Sequence, residues 1–139
     1  MGSILMDSDQ KFKSRLESNF ASLLDIEAID QLLLYGGKDV VIHALEEFLP
    51  ICDQQIKDVI EANKVNDRLK IKSILHTLKG TAATLGIKKI ASNTKTIEEK
   101  MKLDINFEFN NQLNDLKKDF IVFQENFNNI ISLIHQYNE

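Results

Sequence analysis

The feature that most narrows the fold is a run near the C-terminal end. Leu113, Leu116, Phe120, Phe123, Phe127, Ile130, Ile134 and Tyr137 recur alternately three and four apart. A strand would alternate every second residue, so this spacing predicts a long helix, placed at 107–138, with one apolar seam. A seam this regular would serve a dimeric coiled coil or the inside of a bundle. Five further helical patterns precede it in a short chain, which favours the bundle.

The earlier patterns follow from the same spacing. Phe12, Leu16, Phe20 and Leu23 predict a helix from about Asp9. Asp25 is an N-cap for a short helix at 26–34 carrying Ile26, Ile29, Leu32 and Leu33, with Gly36-Gly37 as its stop. Asp39 is expected to cap a helix at 39–62 with the stripe Val41, Leu45, Phe48, Cys52, Ile56 and Val59. Pro50 lies inside it and is expected to kink or locally break it. After a loop at 63–67, Asp67 caps a helix at 67–85 that Gly86 stops. Ile90, Thr94, Ile97 and Met101 mark another at 87–102, followed by a loop at 103–106. The expected architecture is all-α. Four antiparallel helices form the body, a short helix caps one end, and an extra helix lies at the N-terminus. Residues 1–24 are read as an N-terminal extension and 25–139 as the bundle.

Composition supports this and excludes some functions. Five Gly and one Pro in 139 residues are too few for the turns of an all-β fold. A net charge of −4 argues against general nucleic-acid binding, which needs Lys and Arg to neutralise phosphates. No apolar run reaches the ~18 residues of a membrane span. The lone Cys52 cannot form an internal disulfide, which fits a reducing, cytoplasmic setting. Cys52 itself falls on the apolar stripe and is read as a buried small hydrophobe.

The chemistry is concentrated in Ile71–Gly86. On a helical wheel Ile71, Ile74, Leu75, Leu78, Ala82 and Leu85 share the core arc. His76 points roughly 150° from its middle, beside Lys72, Ser73, Lys79, Gly80 and Ala83. Lys79 is within reach of a group carried on His76. Gly80, one turn on, costs about 1 kcal/mol against Ala and leaves room for close approach. A nucleophilic nitrogen, a cation and open space suit an imidazole that carries a phosphoryl group as a phosphoramidate. No glycine-rich loop of the G-x-x-x-x-G-K-[ST] type accompanies it, which argues against self-phosphorylation from ATP. His43 and Glu47 could form two ligands of a metal site, but without a third they are read as surface. His135 is also read as surface.

His76-Thr77-Leu78-Lys79-Gly80, followed by Leu85-Gly86, resembles the signature of the histidine phosphotransfer (HPt) domain family, His-x-Leu-Lys-Gly with a trailing Leu-Gly. Phe48 stands where that family often has an aromatic packed beneath the active histidine. Ile97-Glu98 stands where the next helix often carries an apolar-Glu pair. Leu75 departs from the Ala often found there. The likeness spans about Asp25 to Tyr137 in helix order and leaves the N-terminal helix outside. It implies a phosphorelay intermediate. His76 would accept a phosphoryl group from a receiver-domain aspartyl phosphate and pass it to another receiver. Lys79 and Gly80 would support it, Lys72, Ser73 and Ala83 would meet the partner, and Gly86 and Phe48 would be structural. The implied partners are response-regulator receivers and a hybrid sensor histidine kinase. Mg2+ would sit on the receiver and no cofactor in this chain. Two other readings compete: a docking module that binds receivers without carrying phosphate, and a bundle-type phosphatase or metal hydrolase. The hydrolase would need facing carboxylates and histidines, whereas the inward stripes are apolar. The N-terminal segment would extend the bundle, mediate dimers, or end a linker from a larger kinase.

Overall fold

The computed structural model describes residues 7–104 and 106–138. Among them all regular structure is helical: α1 (Ser8–Phe20), α2 (Ile26–Gly36), α3 (Lys38–Lys64), α4 (Arg68–Thr84), α5 (Lys88–Leu103) and α6 (Asn110–His135). α4 packs chiefly on α5 and α3, and α6 closes the ring by touching both α3 and α5. α2 lies against α3, and α1 against α2 and α6.

The apolar stripes explain this packing. All eight seam residues from Leu113 to Tyr137 are buried within the chain, so the seam is consumed internally and is not open to a coiled-coil partner. Phe48 of α3 meets Phe123 of α6 edge-on at 5.8 Å, and Phe123 meets Phe127 at 5.9 Å. Phe12, Leu16, Phe20, Leu23 and Leu24 join the same core, so the N-terminal stretch is packed with the rest. Phe12 lies edge-on to Tyr137 with ring centroids 5.2 Å apart, which brings the two ends of the described chain side by side.

Three expectations need correction. Pro50 does not break α3, which continues through it. Pro50 and Glu46, whose carbonyl loses the N–H of Pro50, are both exposed, so water can satisfy that carbonyl. Phe48 and Cys52, buried on either side, hold the two halves in register. Asp39 is not the cap of α3. Gly37 takes that place with φ +82°, its N–H donating to the Leu33 carbonyl and its own carbonyl accepting from the Val41 N–H. One glycine therefore ends α2 and starts α3, and Asp39 falls in the first turn. α6 begins three residues later than expected and ends at His135. Arg68 ties down the stretch before α6 by donating to the carbonyls of Phe107 (3.1 Å) and Asp104 (3.3 Å) and lying over the Phe109 ring. The expected caps Asp25 and Asp67 do accept from the N–H groups of Ala28 and Lys70.

Candidate functional site

α4 is held at both ends. Asp67 caps its start. At its end the N–H of Gly86 donates to the Ala83 carbonyl and that of Ile87 to the Ala82 carbonyl, a Schellman closure with Gly86 at φ +74°. The Gly86 carbonyl accepts from the Asp25 N–H at 2.7 Å, and the Leu23 carbonyl accepts from the Lys89 N–H at 3.3 Å. The turn between α4 and α5 is thus tied to the turn between α1 and α2. A Cβ on Gly86 would stand 2.9 Å from Ile29 Cγ1 and 3.2 Å from the Asp25 carbonyl oxygen.

Between these fixed ends His76 stands on the outer crest of α4, its side chain 74% exposed. Its Nδ1 faces Oε2 of Glu98 at 3.6 Å, an ion-pair distance too long for a hydrogen bond. Glu98 comes from α5 and its side chain is only 5% exposed. Its other oxygen, Oε1, lies 3.3 Å from Lys79 Nζ, close enough for strong attraction though not aligned as a hydrogen bond. Glu98 therefore sits under both His76 and Lys79 and neutralises the lysine. In the sequence Glu98 is only the acidic neighbour of Ile97 on the next helix, with no assigned part in the site. The available signal was a carboxylate in register with the buried stripe of α5, next to Ile97 and four residues after Thr94.

The two flanks of the crest differ. Toward α5 lie Lys79, Lys72 and Glu98. Toward α3 lie Gly80, Thr77, Thr81 and Thr84, which with Ala44, Glu47, Phe48, Ile51 and Leu85 line a cavity of about 570 Å³ beside the imidazole. Thr77 donates its hydroxyl to the Ser73 carbonyl and Thr81 to the Thr77 carbonyl. Their hydroxyl protons are thereby turned to the backbone, and the groove is largely methyl-lined. Phe48 forms part of its floor, and no heavy atom beyond its own helix lies within 4 Å of a Cβ placed on Gly80. Lys72, Ser73 and Ala83 are exposed on α4 but do not line the groove.

The metal-ligand candidate His43 pairs at 2.9 Å with Glu47, which also lines the groove beside His76, on the exposed face of α3. Among the described residues no group of three or more His, Cys, Asp or Glu is placed to hold a metal ion. Nor is any described helix long and apolar enough to cross a membrane.

Comparison with curated proteins gives no match, and neither does comparison with solved structures. A family model, that of the Hpt domain, matches residues 43–119, from the first turns of α3 through α4 and α5 into α6. The match includes His76, Lys79, Gly80 and Glu98 and covers more than half of the chain. Hpt domains are phosphocarrier modules, not kinases, and meet receiver domains and kinases in two-component phosphorelays. With this match and an exposed histidine between a lysine and a glycine on one helix, the chain belongs to the Hpt domain family.

Proposed function

We propose that His76 accepts a phosphoryl group from the aspartyl phosphate of one receiver domain and delivers it to the aspartate of another. The observation that carries this reading is the exposed imidazole whose Nδ1 is turned to a buried carboxylate. Glu98 favours the tautomer with hydrogen on Nδ1, which leaves the Nε2 lone pair free and pointing away from the carboxylate. An anionic donor is repelled from the Nδ1 side for the same reason. Nε2 attacks the phosphorus, the bond from phosphorus to the aspartyl oxygen breaks, and the aspartate leaves as a carboxylate. The Nδ1 proton stays on the ring, where Glu98 balances the imidazolium charge. Lys79 can then share its charge between Glu98 and the new phosphoryl oxygens. Transfer to the second receiver is the reverse.

The lysine-bearing face of Lys72 and Lys79, with Ser73, Gly80 and Ala83, meets the receiver around the phosphoryl group, and we place Mg2+ on the receiver. The upstream donor is a hybrid sensor kinase in the cytoplasm. We read α3–α6 as an antiparallel four-helix bundle. Support comes from the ring of contacts and from connections of a few residues between α3, α4 and α5, too short to run back along a helix.

The test is label transfer from phosphorylated receivers to wild type and to His76→Gln. Acid-labile, alkali-stable label on wild type alone is expected. A receiver that binds both proteins and labels neither would establish a docking module in place of a carrier.

A further inference from the structure

A separate concavity lies where the starts of α1 and α3 meet the end of α6. Its volume is about 390 Å³, within the range of small-ligand sites. Lys11 and Arg15 of α1, Lys38 of α3 and His135 of α6 line it. Phe12 and Tyr137, both buried and edge-on to each other, line it as well. No Asp or Glu is among its lining residues, whereas the groove beside His76 has Glu47 and the cavity near Phe109 has Glu108.

This gathering of cations runs against a net charge of −4 and 21 acidic residues. On the opposite flank of α1 the chain does pair its cation: Lys13 meets Glu27 at 2.8 Å and Asp30 at 3.7 Å, both from α2. Lys11 and Arg15, one turn apart, form no ion pair among the described residues. Like charges four residues apart weaken a helix, so this pair is a cost that a bound anion would remove. Arg15 is held in place by donating from Nη1 to Gln136 Oε1 at 2.7 Å, which leaves its other N–H groups for a second acceptor. Lys38 has a different task. Its Nζ donates to the carbonyls of His135 at 3.2 Å and Tyr137 at 3.3 Å, which offsets the negative end of the α6 dipole. An anion beside Lys11 and Arg15 is thereby shielded from those carbonyls. A concavity of one sign of charge also concentrates the field that attracts it.

We propose that this concavity binds a phosphate-bearing small molecule of two or more negative charges, with Arg15 and Lys11 on the phosphate oxygens and His135 at the rim. The arginine fork matches two phosphate oxygens, and the lysine adds a mobile point charge. The phosphate belongs either to a soluble compound or to a lipid headgroup. No lining residue is shared with the groove beside His76, so the site stands apart from the phosphocarrier reading and does not depend on it. All four cations also lie outside the residues that match the family model, which makes the site a property of this chain.

The test titrates the full chain calorimetrically with pyrophosphate and with ATP, both without divalent metal. Co-sedimentation with phosphatidylcholine vesicles, with and without phosphatidylinositol bisphosphate, covers the lipid source. Wild type should bind at least one of these probes. Arg15→Gln and Lys11→Gln should each weaken that binding by about ten-fold, the loss of one charged hydrogen bond. Lys57→Gln, which removes an exposed cation beside Asp53 on α3, should leave it unchanged, as should His76→Gln. All four substitutions are at exposed positions, and circular dichroism monitors the fold. Binding of pyrophosphate or ATP supports a soluble ligand, and binding to the phosphoinositide vesicles alone supports the same site with a headgroup in it. No binding of any probe to wild type overturns the proposal. So does wild-type affinity in both corner variants, which would place the anion elsewhere. Equal weakening in Lys57→Gln overturns it as diffuse attraction, and loss of binding in His76→Gln overturns it by moving the anion to the imidazole.

Discussion

Gly80 is where stability and function should pull in opposite directions. It sits inside α4 with open space around it. Replacing it with Ala removes the backbone entropy cost of a helical glycine, so Gly80→Ala should raise stability by roughly 0.5–1 kcal/mol in thermal or urea melts. The added methyl stands one turn from the imidazole on the groove side, and transfer from a receiver should fall by about ten-fold or more. Unchanged transfer would mean that no partner uses that space. That His76, Lys79 and Gly80 stand together on the outer part of α4 was legible because they lie within two turns of one helix, where linear spacing is spatial proximity. Glu98 was not, because its place depends on how α5 packs on α4. A buried carboxylate is costly unless compensated, and here Lys79 and the Nδ1 edge of His76 compensate it.

The helices were read closely where a side chain sets the boundary, as at Asp25 and Asp67, and less well where the backbone or a distant residue does. Gly37 serves two helices through a positive φ, and Arg68 delays α6 from across the bundle. Neither effect has a local pattern. Gly86 tests how far such backbone positions matter. Its left-handed conformation is strained for other residues, and a Cβ would press on Ile29 and the Asp25 carbonyl. Gly86→Ala should therefore cost about 1–3 kcal/mol in urea denaturation, against a gain for Gly80→Ala on the same helix. A neutral result would show that the α1–α2 turn yields easily.

At the scale of the molecule, Cys52 reports on the core as a unit. It is fully buried on the inner face of α3, and burial, with a smaller contribution from Asp53, pushes its thiol from an ordinary 9.0 up to about 12. Native protein should resist thiol reagents and label only on unfolding. The sign of the linkage follows. Between pH 9 and 12 the unfolded chain loses the thiol proton while the native state keeps it. The contribution is whole below pH 9 and is lost as pH rises through that window, at up to about 1.4 kcal/mol per pH unit. Wild type should lose more stability than Cys52→Ala between pH 8 and pH 10.5 in paired urea melts. Equal losses would place the thiol in contact with solvent. The apolar seam made the all-helical core readable, whereas the groove beside His76 arises from two helices and has no linear trace. One further consequence concerns the contact of Phe12 with Tyr137. Ser8 and Asn138 share a corner whose lining residues include none of those around the groove. A tether attached at either end thus leaves from one pivot. On the phosphocarrier proposal the bundle would then act as a lever arm that carries the imidazole, and the length and stiffness of such a tether would set how often it meets a receiver.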